Sequence, residues 1–286
     1  MRGLTRIITQ IKRESRLDNQ QLFNIIREYI QVLILKAIYQ SSYGKGLSFI
    51  GGTCLRICYG LKRFSEDLDF NLDKKIKGYS FANLNALIVR FLKNSDFEAD
   101  VNVSEDKVVQ KSFIRVSEVL HLFGITPLKG QKLHVKLEVD TRPVKLGIEE
   151  LESFFVAKFD ETFPILKHTE ETLFGGKIAA ILNRPYTKGR DFYDLMWYLR
   201  RKTALNLRYL NKICQQAGLK IQFKNKEDVF DVLGTRVRLI PANEILKDIK
   251  QFLEDPTEDL WLKDYQAAFK QAVKQYLELG KSIHKI

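Results

Sequence analysis

The chain has 286 residues, of which 45% are hydrophobic and 29% are charged, and 47 lysines and arginines against 35 acidic residues give a net charge of +12. This composition argues against disorder, and the length suits one large or two modest domains. No apolar run approaches the roughly 20 residues that span a bilayer, and the N-terminus lacks a signal-peptide core, so we expect a cytoplasmic protein with no membrane partner. The positive charge favours nucleic acid as a partner.

The first informative stretch follows a helical lead-in over residues 1–42 and a glycine-containing turn. An apolar strand at residues 47–50 ends at Gly51 and Gly52, and Thr53 is placed to cap the helix that follows. Adjacent glycines permit positive φ and leave backbone N–H groups open to an anion, while a helix N-terminus adds positive partial charge. The stretch therefore predicts a phosphate site.

A second strand carries two aspartates. Because successive strand residues point to opposite faces, Asp67 and Asp69 share one face while Leu68 and Phe70 point into a core. Hard divalent ions such as Mg²⁺ bind carboxylate oxygens together with substrate phosphates. The pair favours a metal-nucleotide site, although an Asp-x-Asp sequence alone is also typical of a solvated strand end.

The next elements predict a mixed sheet covered by helices. Ser80 is a candidate N-cap for a helix over residues 81–92, and alternating strands follow at 97–103, 108–116 and 133–139. In the last of these strands, Lys136, Glu138 and Asp140 share one face. That face is either part of the site or a charged, solvated surface.

Beyond residue 146 the pattern turns helical, which predicts a first domain over 1–145, with the N-terminal helices and the candidate metal-nucleotide site, and a helical domain over 146–286. Apolar residues recur at helical spacing in 170–182, 191–199, 205–217, 243–252 and 260–279. Gly175 and Gly176 each lower helix stability by roughly 1 kcal/mol relative to alanine, which suggests close approach of another backbone or of a nucleotide. The predicted fold class is α+β, with an α/β core followed by a C-terminal helical lobe.

Five segments together resemble the AbiEii/AbiGii toxin nucleotidyltransferases, a branch of the polymerase-β-like superfamily. They are Gly51-Gly52-Thr53 with Leu55-Arg56, residues 63–70 around Asp67 and Asp69, residues 136–140, residues 171–180 around Lys177, and residues 184–195 around Asp191. The resemblance implies a polymerase-β-like nucleotidyltransferase core with a mixed sheet. The helical region after residue 205 matches the family only in character.

The resemblance also implies a role for each matching residue. Two Mg²⁺ ions, with Mn²⁺ as an alternative, would be held by Asp67, Asp69 and a third carboxylate, which aligns best with Glu138 and otherwise with Asp140. Glu138 could also accept the proton of the attacking hydroxyl. Lys177 would neutralise charge on the leaving pyrophosphate.

Nucleotide binding and the last motif complete the expected site. The nucleotide would contact Gly51, Gly52, Thr53, Arg63, Ser65, Lys177 and Arg190. The family pattern pairs Arg190 with Asp191 at the cleft, whereas acidic residues in a first helical turn are otherwise only favourable partners of the helix dipole. Asp194 would brace Arg190 or Lys188.

By this resemblance, we expect an enzyme that transfers NMP from an NTP to RNA, most specifically to the 3′ end of tRNA. It would act as the toxin of an AbiE-type, type IV toxin-antitoxin system and inhibit translation. The antitoxin would be encoded nearby, and direct contact with it is not implied. The alternatives are transfer to a protein hydroxyl or a small molecule, and a non-catalytic module that binds nucleic acid.

Overall fold

The computed structural model describes residues 1–14, 16–105 and 107–283. The chain forms two compact units. The first contains Met1–Lys145 together with Leu151–Lys167, and the second contains Leu146–Glu150 and the residues from His168 onward. The division into a catalytic and a helical domain at residue 145 stays a prediction.

A mixed seven-stranded sheet forms the centre of the first unit. In chain order its strands are β1 (Leu47–Ile50), β2 (Asp67–Leu72), β3 (Ala99–Ser104), β4 (Val109–Val116), β5 (Leu133–Asp140), β6 (Leu151–Lys158) and β7 (Glu161–His168). Their spatial order is β3-β4-β5-β2-β1-β7-β6. Strand β2 runs parallel to β5 and antiparallel to β1, while β4 runs antiparallel to both β3 and β5.

One face of this sheet is buried under helices because its strands alternate apolar and polar residues. Leu68, Phe70, Leu137, Val139 and Ile114 are all at most 1% exposed. The helices of the first unit are α1 (Arg2–Glu14), α2 (Asn19–Tyr39), α3 (Gly51–Tyr59), α4 (Phe81–Asn94) and the short α5 (Val119–Leu122). Helix α2 packs on β5 and α4 packs on β3 and β4, so the opposite face of these strands carries the polar side chains.

Helix ends in the first unit follow their capping residues. Ser80 caps α4 as predicted, since its Oγ accepts a hydrogen bond from Asn83 N at 3.2 Å. Asp18 begins α2 with a capping box that includes Gln21. The helical lead-in is therefore two helices.

The expectation of helical structure directly after residue 146 is wrong for residues 151–168, which form the hairpin β6-β7. Phe159 and Asp160 connect its strands, with φ of 56° and 63°. Two consecutive residues of positive φ match the twist of antiparallel strands, but Phe-Asp lacks the Asn-Gly signal that usually announces such a turn. The hairpin extends the sheet beyond β1, because β7 pairs with β1 in parallel.

The second unit is helical. Its helices are α6 (Glu170–Asn183), α7 (Gly189–Arg201), α8 (Leu207–Gln216), α9 (Lys226–Arg238), α10 (Ala242–Ile249), α11 (Asp259–Leu262) and α12 (Tyr265–Ile283). Helix α7 packs against α6, α10 and α12. The sequence did not predict α9, although Asn225 caps it by accepting from Asp228 N at 2.8 Å. Within the described ranges, every helix is too short or too polar to cross a bilayer.

Candidate active site

Strand register aligns three predicted carboxylates on the partly exposed face of the sheet. Asp69 of β2 lies directly opposite Glu138 of β5, and Asp67 lies opposite Lys136. Paired residues on neighbouring strands point to the same face, and so do residues two apart on one strand. We call Asp67, Asp69 and Glu138 the carboxylate row.

The glycine turn packs directly against this row. Helix α3 begins at Gly51 immediately after β1, and Gly51 has φ of +79°. A Cβ atom at Gly51 would lie 2.2 Å from Asp69 Oδ2, and one at Gly52 would lie 2.6 Å from Arg63 Nη2 and 3.0 Å from Ser65 Oγ. The two glycines therefore let a carboxylate, a guanidinium and a hydroxyl approach the start of the helix.

Thr53 does not cap α3 as predicted. The N-cap is Ile50, which has no side-chain cap hydrogen bond, because the helix starts at the first glycine after the strand. Thr53 lies within the first turn, is 1% exposed, and donates its hydroxyl hydrogen bond to the backbone carbonyl of Asp67. Its role in the structure is to join α3 to the strand that carries the aspartates.

The segment that brings Arg63 and Ser65 to the turn is held by α2. Arg63 is 2% exposed and donates from Nη1 to the carbonyl of Phe64 at 2.9 Å. Gln31 donates to the carbonyl of Ser65 at 3.0 Å, and Arg27 forms an ion pair with Glu66 at 3.2 Å. Sequence reasoning missed these contacts, since nothing in α2 indicates which loop it would touch.

Glu138 is bound by two lysines. Its carboxylate accepts from Lys136 of the same strand at 2.8 Å and from Lys111 of β4 at 2.9 Å. Burial raises the pKa of Glu138, but the hydrogen bonds from Lys136 and Lys111 outweigh it and hold that pKa below its usual value. Lys111 was missed in the sequence, where it is one lysine among many, and only the register with Glu138 identifies it.

The Lys136 ammonium group also responds to both aspartates of the row. Burial lowers the pKa of Lys136, yet the hydrogen bond to Glu138 and the charges of Glu138, Asp67 and Asp69 raise it overall. Asp140, the alternative third carboxylate, instead accepts from the backbone N–H of Arg142 at 2.9 Å. Burial and the nearby Asp73 raise the pKa of Asp140. Register and partners therefore favour Glu138 as the third member.

The chemistry of the row fits a divalent metal, because it offers hard carboxylate oxygens from adjacent strands next to the glycine turn. In the part of the chain that the structure describes, no three His, Cys, Asp or Glu side chains are already arranged as a set of metal ligands. On this face the Glu138 carboxylate is paired with Lys136 and Lys111. Metal binding by the full row requires Glu138 to exchange a lysine for the ion.

Two of the predicted site residues of the second unit, Lys177 and Asp191, belong to an ion cluster. Lys177 of α6 contacts Asp191 at 2.8 Å and Asp194 at 2.7 Å, both on α7, and Arg184 also pairs with Asp191. The side chains of Lys177, Asp191 and Asp194 are 12%, 4% and 0% exposed. We call these four residues the Lys177 cluster.

Arg190 has a different environment from its neighbour Asp191. Its backbone N–H donates to Asp248 at 3.1 Å, its guanidinium lies 3.7 Å from the same carboxylate, and it stacks 4.4 Å from the Phe252 ring centroid. Lys177 and Arg184 both pair with Asp191. A nucleotide-binding role for Arg190 stays a prediction.

Gly175 lies close to the backbone of another segment, which is one of the two explanations that the sequence suggested for this glycine. A Cβ atom there would lie 3.2 Å from the carbonyl oxygen of Asn206 and 3.3 Å from Tyr209, at the contact between α6 and α8. Gly175 therefore has a packing explanation within the second unit.

Solved structures share this fold. A candidate nucleotidyltransferase from H. pylori matches with a TM-score of 0.55 and 18% identity, covering 91% of this chain and 96% of that one. JHP933 from Helicobacter pylori matches with a TM-score of 0.50 and 20% identity, covering 90% and 97%. No curated protein matches the sequence. These likenesses define the fold class as a mixed α/β nucleotidyltransferase fold and confirm the prediction.

The family follows from the sequence itself. The family model described as Nucleotidyl transferase AbiEii toxin, Type IV TA system, matches residues 33–279. The chain belongs to this family, as its motifs predicted. It is a toxin nucleotidyltransferase of a type IV toxin-antitoxin system, which implies an antitoxin partner. Nucleotidyltransferases generally use divalent metals.

Proposed function

We propose that this protein transfers NMP from an NTP to the 3′ hydroxyl of tRNA and thereby inhibits translation. The observation that carries the proposal is the strand register that sets Glu138 opposite Asp69, on the same face as Asp67. The glycine turn adds to it, because Gly51 lets the Asp69 carboxylate reach the start of α3. A carboxylate row beside an anion-binding turn suits phosphoryl transfer.

In this proposal the turn binds the triphosphate. The start of α3 presents backbone N–H groups and positive partial charge, and Arg63 and Ser65 lie against Gly52. Because Arg63 is almost fully buried, its charge is held in place before the nucleotide arrives. Preorganised donors of this kind stabilise the charge that develops on a leaving pyrophosphate.

The row would bind two Mg²⁺ ions, with Mn²⁺ as an alternative, and bound ions would neutralise the phosphates and orient the attacking hydroxyl. The hydroxyl oxygen forms a bond to the α-phosphorus while the bond to the β-phosphate oxygen breaks. Glu138 is the candidate acceptor of the hydroxyl proton once it has left its lysines. The net charge of +12 supports RNA as the acceptor.

Two further roles, carried over by the resemblance, belong to the second unit. Lys177 would act at the triphosphate and Asp191 would act with it. Their mutual ion pair and low exposure support a role in fixing α6 to α7 at least as well. Asp67, Asp69 and Glu138 are therefore the residues on which the proposed chemistry depends.

Incubation with each labelled NTP in turn, with tRNA, a protein mixture and an aminoglycoside offered separately, tests the proposal. We expect label on tRNA, and none on tRNA whose 3′ end has been oxidised with periodate. Asp67→Asn should abolish transfer and growth inhibition while the protein stays folded. Label on protein alone would contradict the RNA acceptor, and an equally toxic Asp67→Asn protein would favour a non-catalytic module.

A further inference from the structure

An exposed aromatic side chain lies on the same sheet face as the carboxylate row. Phe113 of β4 is 44% exposed, although the residues on either side of it, Ser112 and Ile114, are fully buried. Its register partners are Lys136 on β5 and Asn102 on β3, and Lys136 in turn pairs with Asp67 on β2. Phe113 therefore lies two strands from Asp67, roughly 10 Å away at the usual strand spacing.

Cations surround this ring on both sides. Lys111 and Lys136 share the carboxylate of Glu138, while Arg115 and Lys132 share that of Asp100. Each carboxylate next to Phe113 thus carries two cations, so lysine and arginine groups lie on both sides of an exposed aromatic surface.

This combination is the chemistry that single-stranded nucleic acid requires. A base stacks on an aromatic ring, and neighbouring lysines and arginines bind the backbone phosphates. The short separation from Asp67 lets the last nucleotides of a strand lie on the ring while the terminal hydroxyl lies at the carboxylates.

We propose that the face formed by Phe113 with Asn102, Lys111, Arg115 and Lys136 is the acceptor platform, on which the single-stranded 3′ end of the RNA stacks. The inference rests on the proposed function for its choice of RNA, and it assigns the acceptor to β3 and β4. The cores of protein–protein interfaces contain few charged residues, whereas Phe113 has cations on both sides, so nucleic acid is the better match.

Binding measured without NTP separates the platform from catalysis. Fluorescence anisotropy would follow a labelled RNA hairpin with a four-nucleotide 3′ overhang and the same hairpin with a blunt end. Phe113→Ala should weaken overhang binding roughly tenfold, the loss expected for one stacked base, with little change for the blunt hairpin. Phe113→Trp should restore binding. Phe155→Ala is the matched control, because Phe155 is 60% exposed on the edge strand β6.

Salt dependence distinguishes stacking from charge. Phe113→Ala should leave the slope of log affinity against log salt unchanged, whereas Lys132→Met should reduce it by about one. A Phe113→Ala protein that binds the overhang as tightly as Phe155→Ala would overturn the platform. If Phe113→Ala instead turned a parent dimer into a monomer in sedimentation, with RNA binding intact, the face would be a protein contact.

Measuring nucleotide transfer as well as RNA binding tests the proposed function separately from the platform. Overhang binding that depends on Phe113, in a parent that transfers no nucleotide to RNA, would support the platform and contradict the proposed activity. Transfer to RNA with an unchanged KM for RNA in Phe113→Ala would support the activity and contradict the platform. A raised KM for RNA with an unchanged KM for NTP supports both.

Discussion

The carboxylate row and the Lys177 cluster use the same kinds of charged group in opposite ways. In the row, Glu138 is 19% exposed and its lysine partners are 25% and 44% exposed, so ions and substrates can reach them. In the cluster, Lys177 is 12% exposed and its two aspartates are at most 4% exposed. The row is placed by strand register and the cluster by packing of α6 against α7.

The difference teaches which charges can exchange partners. Partly exposed ion pairs are worth little, so Glu138 can leave a lysine for a metal ion at small cost. A buried pair is different, because removing one partner leaves an uncompensated charge in a poorly solvated environment. We therefore expect the row to determine activity and the cluster to determine stability.

The largest expected difference compares one aspartate from each region. Asp194→Asn should lower the free energy of unfolding by about 3 kcal/mol, because Lys177 loses a buried partner. Asp67→Asn should change it by about 1 kcal/mol or less, since Asp67 is partly exposed, while abolishing transfer. Urea unfolding and labelled-nucleotide transfer measure the two effects. Equal stability losses would refute the contrast.

A second pair of variants tests whether the glycine turn serves the row. Gly51→Ala forces a methyl group onto Asp69 in addition to the strain of positive φ, whereas Gly60→Ala, with φ of +73° and open space around it, adds only the strain. The strain alone is worth about 1–2 kcal/mol. Both variants should be destabilised, but Gly51→Ala alone should lose most of its transfer activity. Comparable transfer activity in the two variants would show that the glycine turn does not serve the carboxylate row.

Replacing one of the lysines that bind Glu138 should have a smaller effect, on metal affinity. Lys136→Met removes a cation that competes with a metal ion for Glu138, so Mn²⁺ should bind more tightly in the absence of nucleotide. The gain should be up to about fivefold, because a partly exposed ion pair is worth less than about 1 kcal/mol. Electron paramagnetic resonance of free Mn²⁺ would measure it, with Lys132→Met as a control for net charge. Weaker Mn²⁺ binding in Lys136→Met would show that Lys136 supports the ion instead.

The smallest expected effect concerns an ion pair of the first unit with one buried member. Lys167 is 2% exposed and binds Glu152 and the Tyr59 hydroxyl. Burial raises the pKa of Glu152, but the hydrogen bonds from Lys167 and Tyr59 lower it overall. A lowered carboxyl pKa contributes stability that is present above the unfolded value and is lost as pH falls through the folded value.

Acid unfolding tests this pair. Below about pH 4.5, the ordinary glutamate value, the parent should lose stability more steeply than Lys167→Met. Since Glu152 is 43% exposed, the difference should stay below about 1 kcal/mol. Equilibrium unfolding between about pH 5 and about pH 3, a range that brackets the ordinary glutamate pKa, would measure the difference. Parallel curves for the two proteins would indicate that the pair contributes no pH-dependent stability.

Much of the site was open to prediction because it is local in sequence. The glycine turn, the alternation that puts Asp67 beside Asp69, and the alternation that puts Glu138 beside Asp140 follow from backbone geometry over a few residues. The same holds for the family assignment, which depends on those motifs, and for the Ser80 cap. The hairpin β6-β7 was missed because Phe159-Asp160 adopts a glycine-like turn without glycine.

The amino-acid sequence by itself determined the turn, the face on which each carboxylate lies, and the family. Only the tertiary structure decided that Asp69 is opposite Glu138, that Lys111 and Lys136 bind Glu138, and that Phe113 shares their face. The physical reason is that strand pairing joins residues about 70 and 27 positions apart, as between β2 and β5 and between β4 and β5. Periodicity along one strand carries no information about which neighbour it will pair with, or in which register.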